Sequence, residues 1–160
     1  VLFCSNNPES GVVSYSKKTQ ISCCVFSRAQ LNDPDFLAPL LAKKSIDMIV
    51  LAGFLLKIPE KLICLYSKKI INIHPSLLPK HGGRGMYGDF VHSAVIKARE
   101  VESGITIHYV NQSYDKGEIV FQEKCCVFKK DTVASLKERV RNLEHRFFPV
   151  VIEKLILNIC

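Results

Sequence analysis

Ile70-Ile71-Asn72-Ile73-His74-Pro75-Ser76-Leu77-Leu78-Pro79-Lys80 is the stretch from which the rest of the chain is best read. An apolar run meets a polar Asn, one apolar residue follows, and then come a His and a Pro. Proline has no N–H for a sheet ladder, so a central strand ends here. Period two puts Asn72 and His74 on one side of an extended segment, both projecting where the strand runs out. In an open parallel sheet, ligands bind at the carboxyl ends of the strands. An amide beside an imidazole suits acyl chemistry: Asn donates a hydrogen bond to a developing oxyanion, and His donates one or moves a proton near neutral pH. The other reading is structural, an Asn and a His that finish a strand and cap a loop, and so short a motif leaves both open.

Upstream, Asp47-Met48-Ile49-Val50-Leu51-Ala52-Gly53 is a continuous apolar run of the kind buried on both faces of a parallel sheet, and Pro59–Ser67 predicts a short helix between it and the Asn72 strand. Val1–Ser5 reads as a strand, about 9–18 as a modest helix, and Ile21–Phe26 as a second β-rich run. Asp33-Pro34 offers a helix start, Asp as N-cap and Pro in the first turn, followed by Phe36, Leu37, Leu40 and Leu41 at helical spacing. Strands alternating with helices imply right-handed βαβ units and parallel pairing. Downstream, residues 74–88 hold four glycines and two prolines, a long loop of the kind that marks a site. Asp89–Arg99 predicts a helix with Phe90, Ala94, Val95 and Ala98 along one side. Gly104–Val110 and Glu118–Phe128 form two β-rich runs around a turn, and Thr132 caps a closing helix to Asn158. The expected fold is a Rossmann-like α/β domain, its central sheet mostly parallel with helices on both faces, and an antiparallel addition toward the C-terminus.

The 160 residues suit one domain with a real core. At 48% hydrophobic and 23% charged the composition is that of a globular chain, and no apolar run reaches a membrane span. Seven cysteines, an odd number with no C-x-x-C, argue for free thiols and a reducing, cytoplasmic setting. A net charge of +7 favours anionic ligands, but the basic residues are scattered and Trp is absent, which argues against a nucleic-acid polymer as partner. No metal is expected, because the spacing of His81 and His92 to His74 matches no ligand motif.

Asp115, in Tyr114-Asp115-Lys116-Gly117, is either an ordinary turn residue or a carboxylate that orients and charges His74. His108 lies in a strand pattern and is read as a satisfied sheet histidine. Lys57, Lys80 and Arg84 flank the mouth of the expected site, and Glu144 sits on the last helix, a solvated face by default.

Leu51-Ala52-Gly53-Phe54, then Asn72 through Lys80, then Gly104-Ile105-Thr106-Ile107-His108-Tyr109-Val110 with Tyr114 through Gly117, and finally Glu144-His145 before Pro149 follow one another at compatible spacing. The ordered set closely resembles phosphoribosylglycinamide formyltransferase over nearly the whole chain. The resemblance implies transfer of a formyl group from 10-formyltetrahydrofolate, as co-substrate, to the amine of glycinamide ribonucleotide in purine synthesis. It makes Asn72, His74 and Asp115 the catalytic trio. It assigns Leu55, Leu56, Lys57, Ile58, Val110 and Asp115 to the folate pocket, largely through backbone groups, and Pro75 and Glu144 to the ribonucleotide. The contacts of Gly82 through Gly88 do not transfer from the family. A monomer or homodimer is implied.

The family opens with a strand and a glycine-rich phosphate loop at a helix N-terminus. Val1 does not begin a chain with Met and enters directly into an apolar run, so residues 1–160 are expected to be a single formyltransferase domain that is N-terminally incomplete, with roughly 30 residues before Val1, the size of one strand–helix unit. Three rival readings stand beside the transferase. A formyltetrahydrofolate hydrolase shares the trio, but the Pro after His74 favours the transferase. A methionyl-transfer-RNA formyltransferase needs a further RNA-binding domain, and a folate-binding module would lack turnover.

Overall fold

The computed structural model describes residues 1–158. The described chain divides into two compact units, one of residues 1–47 and 56–66, the other of residues 48–55 and 67 onward.

In the first unit, β1 (Phe3–Ser5) and β2 (Cys23–Val25) pair in parallel, Phe3 against Cys23 and Ser5 against Val25, joined through α1 (Gly11–Thr19). After β2 the sequence expectation is corrected. Ser27 and Gln30 form a reciprocal capping box that starts α2 (Arg28–Asn32), so Asp33 ends one helix instead of starting the next. Its carboxylate accepts the Asp35 amide at 2.9 Å, closing an Asx turn across Pro34, and α3 (Leu37–Lys43) begins only after Phe36. The unit also holds α4 (Glu60–Leu65), which starts after Pro59 as the sequence predicts.

The second unit carries the site. Its four strands lie in the order β3 (Ile49–Leu51), β4 (Ile70–His74), β5 (Glu102–Tyr109), β6 (Ile119–Cys126). β3 and β4 are parallel, whereas β4–β5 and β5–β6 are antiparallel, the expected addition toward the C-terminus. β3 is an edge strand here, and Val50 beside that open edge stays 39% exposed, unlike the two-sided burial its apolar run suggested.

Two helices complete the unit, α5 (Asp89–Lys97) and α6 (Val133–Leu157). Thr132 caps α6 in a box with Ser135, as its position predicts. The phase of α5 differs from the sequence reading: Val91, His92 and Val95 are buried, and Phe90 is largely exposed. Ile71 and Ile73 of β4, Ile105 and Ile107 of β5, Val95, and Leu136, Val140, Phe148 and Val151 of α6 form one core cluster. Burying these side chains stabilises each by about 1.5–3 kcal/mol, so the C-terminal end of β4 rests on a firm base.

Candidate active site

β4 ends as its sequence requires, with Ile71 and Ile73 turned into the core and Asn72 and His74 on the alternate face. Antiparallel pairing sets Asn72 opposite His108 and His74 opposite Thr106. His108 is buried. Its Nδ1–H donates to the Tyr109 carbonyl at 2.8 Å, which leaves Nε2 to accept the Asn72 amide at 3.2 Å. The amide is thereby fixed by one N–H and keeps its other for a ligand. Thr106 donates to the Ser76 carbonyl at 2.6 Å and accepts from the Leu78 amide at 3.0 Å, which ties the chain leaving β4 to β5. Gln122 of β6 adds bonds to the Thr106 hydroxyl and the Leu78 carbonyl.

Asp115 reaches the same place from the loop between β5 and β6. Its φ of 55° is left-handed, a region Asp tolerates better than most residues. Its side chain is only 12% exposed, and the two carboxylate oxygens face two imidazoles, Oδ2 at 3.6 Å from His74 Nδ1 and Oδ1 at 3.6 Å from His108 Nε2. Gly83 donates its amide to Oδ2 at 2.8 Å. A Cβ on Gly82 would lie 3.2 Å from the Asp115 Cβ and against Leu78, so the glycine-rich loop packs onto the carboxylate with no room for a side chain. The β5–β6 loop that carries Asp115 closes on itself downstream, where a Cβ at Gly117 would fall on the Tyr109 carbonyl oxygen.

His74 is 4% exposed, and its Nε2–H donates to the His81 carbonyl at 2.9 Å. That bond fixes the tautomer and leaves Nδ1, on the Asp115 side, as the nitrogen open to chemistry. Burial pushes the His74 pKa down, and the Asp115 charge and the His81 carbonyl only partly offset it. Burial pushes the Asp115 carboxyl up, but the His108 ring beside it, the hydrogen bond from the Gly83 amide and the His74 ring outweigh it and hold the group below the usual carboxylate value. A fixed amide donor, an imidazole with one free nitrogen and an ionised carboxylate thus meet in a half-closed site, the components of oxyanion stabilisation coupled to proton movement.

Asn72, His74 and Asp115 are therefore brought together. Pro75 follows them, half-buried. Leu55 is exposed and belongs to the second unit, while Leu56, half-buried, Lys57, exposed, and Ile58, buried, belong to the first. Val110 is half-buried, and its amide donates to the Ile70 carbonyl at 2.9 Å, so its carbonyl side is the one left for a ligand. Glu144 is half-buried on α6 and forms no hydrogen bond with the trio. Burial raises its pKa against the pull of His145 and Arg141. Lys80 is engaged by Glu100 at 2.9 Å. Among the described residues, no group of three or more His, Cys, Asp or Glu is placed to hold a metal ion.

The sequence reading took His108 only as a satisfied sheet histidine, but it also holds Asn72 and faces Asp115. The signal that would have found it is the antiparallel register that puts it opposite Asn72. The contributions of the His81 carbonyl and the Gly83 amide leave no trace in side-chain identity.

Residues 1–152 match the formyl transferase family. The chain is 39% identical to the chloroplastic phosphoribosylglycinamide formyltransferase of Arabidopsis thaliana over 95% of its own length and 54% of that protein's. It is 34% identical to phosphoribosylglycinamide formyltransferase of Haemophilus influenzae over 93% of its length and 70% of the relative's. The chain thus spans about half the length of the plant relatives it matches. The crystal structure of phosphoribosylglycinamide formyltransferase from Anaplasma phagocytophilum superposes with a TM-score of 0.88 at 32% identity, covering 98% of this chain and 74% of that one. With nearly every residue inside the family match, and a half-buried Asn, a buried His and a half-buried Asp gathered at the end of β4, this chain belongs to the formyl transferase family.

Proposed function

We propose that the protein transfers a formyl group from 10-formyltetrahydrofolate to the amine of glycinamide ribonucleotide, in purine synthesis, with residues 1–160 acting as one formyltransferase domain. The observation that carries the reading is the trio itself. Asn72 has a spare amide N–H, and His74 offers Nδ1 beside an ionised Asp115.

In this mechanism the substrate amine attacks the formyl carbon, and the carbonyl π pair moves onto oxygen. Asn72 Nδ2–H donates to that oxyanion, and His74 joins it from Nδ1 when that nitrogen carries a proton, the form that the neighbouring Asp115 charge favours against burial, which matters most in a site shielded from water. As the oxygen re-forms its double bond, the carbon–nitrogen bond to the folate breaks. The proton released by the attacking amine passes by way of Asp115 to the departing folate nitrogen, so charge and protons balance. Leu55 and the 110–115 segment would receive the folate through backbone groups, and Pro75 and Glu144 would contact the ribonucleotide. The half-buried Glu144, its carboxyl pushed up by burial, suits hydrogen bonding to sugar hydroxyls. The ligands are small molecules, the assembly a monomer or homodimer, and the free thiols of Cys4, Cys23, Cys24, Cys64, Cys125 and Cys126 fit a cytoplasmic or other reducing compartment.

The test is the rate of formyl loss from 10-formyltetrahydrofolate by the intact natural protein, with and without glycinamide ribonucleotide. Loss that requires the ribonucleotide is the expected result. Equal loss without it would make water the acceptor and the protein a hydrolase.

A further inference from the structure

His74 is held from behind by a turn that the reaction does not itself explain. His81 has a φ of 54°, a left-handed conformation that a residue with a Cβ keeps only when its surroundings impose it. The constraint is visible at both ends of the residue. Its carbonyl accepts from His74 Nε2 at 2.9 Å and from the Ser76 hydroxyl at 3.5 Å, and the same hydroxyl donates to the Lys80 carbonyl at 2.8 Å. Its imidazole Nε2 lies 3.2 Å from Glu100 Oε1, and Lys80 Nζ lies 2.9 Å from Glu100 Oε2. Two residues on, Gly83 donates to Asp115. One short turn therefore supplies the acceptor for His74 and the donor for its carboxylate partner.

Glu100 is well placed to hold that turn. Arg99 is left-handed with a φ of 53°, its amide bonds the Ile96 carbonyl at 3.0 Å, and the Glu100 amide bonds the Val95 carbonyl at 3.2 Å. This is a Schellman ending on α5, a helix anchored in the core through the fully buried Val95. The side chains of Glu100 and His81 are 23% and 17% exposed, enough to weaken the pair energetically without loosening its geometry.

We propose that Glu100 and His81 are a positioning pair for His74: their hydrogen bond, reinforced by the Lys80–Glu100 ion pair, holds the 80–83 turn so that the His81 carbonyl fixes the His74 tautomer and the Gly83 amide aims Asp115. The inference rests on the formyl-transfer reading only in assigning chemistry to His74. Glu100 and the His81 imidazole act through His74 and are not themselves catalytic. The groups facing His81 are Lys80 and Glu100, and those facing His74 are Asp115, His108 and His81, with His92 near enough to couple to it.

The experiment is nitrogen NMR of His74 across pH in the wild-type chain, Glu100→Gln, His81→Asn and the double variant, with steady-state kinetics alongside. Asn tolerates the left-handed region, so His81→Asn removes the imidazole–carboxylate pair and spares the backbone. Loss of the carbonyl acceptor is expected to lower the His74 titration midpoint by about 0.7 pH and to release Nδ1–H tautomer into the neutral ring. The rate constant kcat is expected to drop about fivefold with little change in KM, and the double variant to match the single ones. His74 shifts and midpoint identical to wild type in folded Glu100→Gln and His81→Asn would overturn the proposal. If one variant fails to fold, the other decides, since each breaks the same pair from its own side. Failure of the formyl-transfer reading would show separately, as wild-type protein without transferase activity whose His74 still responds to Glu100.

Discussion

Asn72 is the residue whose role is most sharply defined by its surroundings. One amide N–H is committed to His108, and His108 is locked in turn by the Tyr109 carbonyl. The amide therefore cannot rotate its donor away from the site, which is what preorganised oxyanion stabilisation requires. Replacing Asn72 with Ala should lower kcat by about 10²–10³, equivalent to about 2.7–4 kcal/mol of barrier, with a much smaller change in KM. Steady-state kinetics on the variant checks this, and a change confined to KM would mean that Asn72 serves ground-state binding instead. Asn72 and His74 were legible in the sequence because period two puts both on one side of a strand. Their partners were not, because His108 meets Asn72 only across an antiparallel ladder whose register the sequence does not state.

At the scale of elements, the β5–β6 hairpin does most to place the site. It brings His108 and Thr106 against β4 and hangs Asp115 from its connecting loop. Gly104 is the close approach that permits this. A Cβ there would fall on the Glu123 carbonyl oxygen and lie 2.9 Å from Leu77 Cδ2. Gly104→Ala should therefore destabilise the fold by roughly 1–3 kcal/mol, because backbone must move, and should disturb the chain leaving His74 through Leu77. A urea titration reads the loss, and an unchanged midpoint would show that the hairpin can shift freely. Capping signals named the start of α6 correctly because Thr132 acts within one turn. The same kind of signal at Asp33 failed, since Ser27 and Gln30 offered a complete capping box six residues earlier. The expected face of α5 shares only Val95 with the buried one because several apolar stripes fit nine residues, and packing against α6 selects Val91, His92 and Val95.

Across the whole molecule, two buried imidazoles couple stability to pH. Burial lowers the pKa of both His74 and His92, and His92 Nδ1 has no hydrogen-bond partner among the described residues. In the unfolded chain each titrates near 6.5. As pH falls through that value the unfolded state takes up protons first, so stability present above it is lost toward the depressed folded values. The urea midpoint should be lower at pH 5 than at pH 7.5, and replacing His92 with Gln should reduce the difference. A midpoint that rises on acidification would contradict the lowered pKa of the two buried rings.

The alternation of strands and helices, the end of β4 at His74-Pro75 and the family are legible in the residues alone, because they depend on local periodicity, proline chemistry and an ordered set of motifs. Only the tertiary structure decided which atoms meet. The His81 carbonyl, the Gly83 amide and the His108 ring converge on the trio through a left-handed turn and an antiparallel register. Two of these contacts use backbone groups, and those of Gly83 with Asp115 and of His108 with Asn72 join residues 32 and 36 apart in the chain, so they exist only once the core beneath β4 has fixed the strands relative to one another.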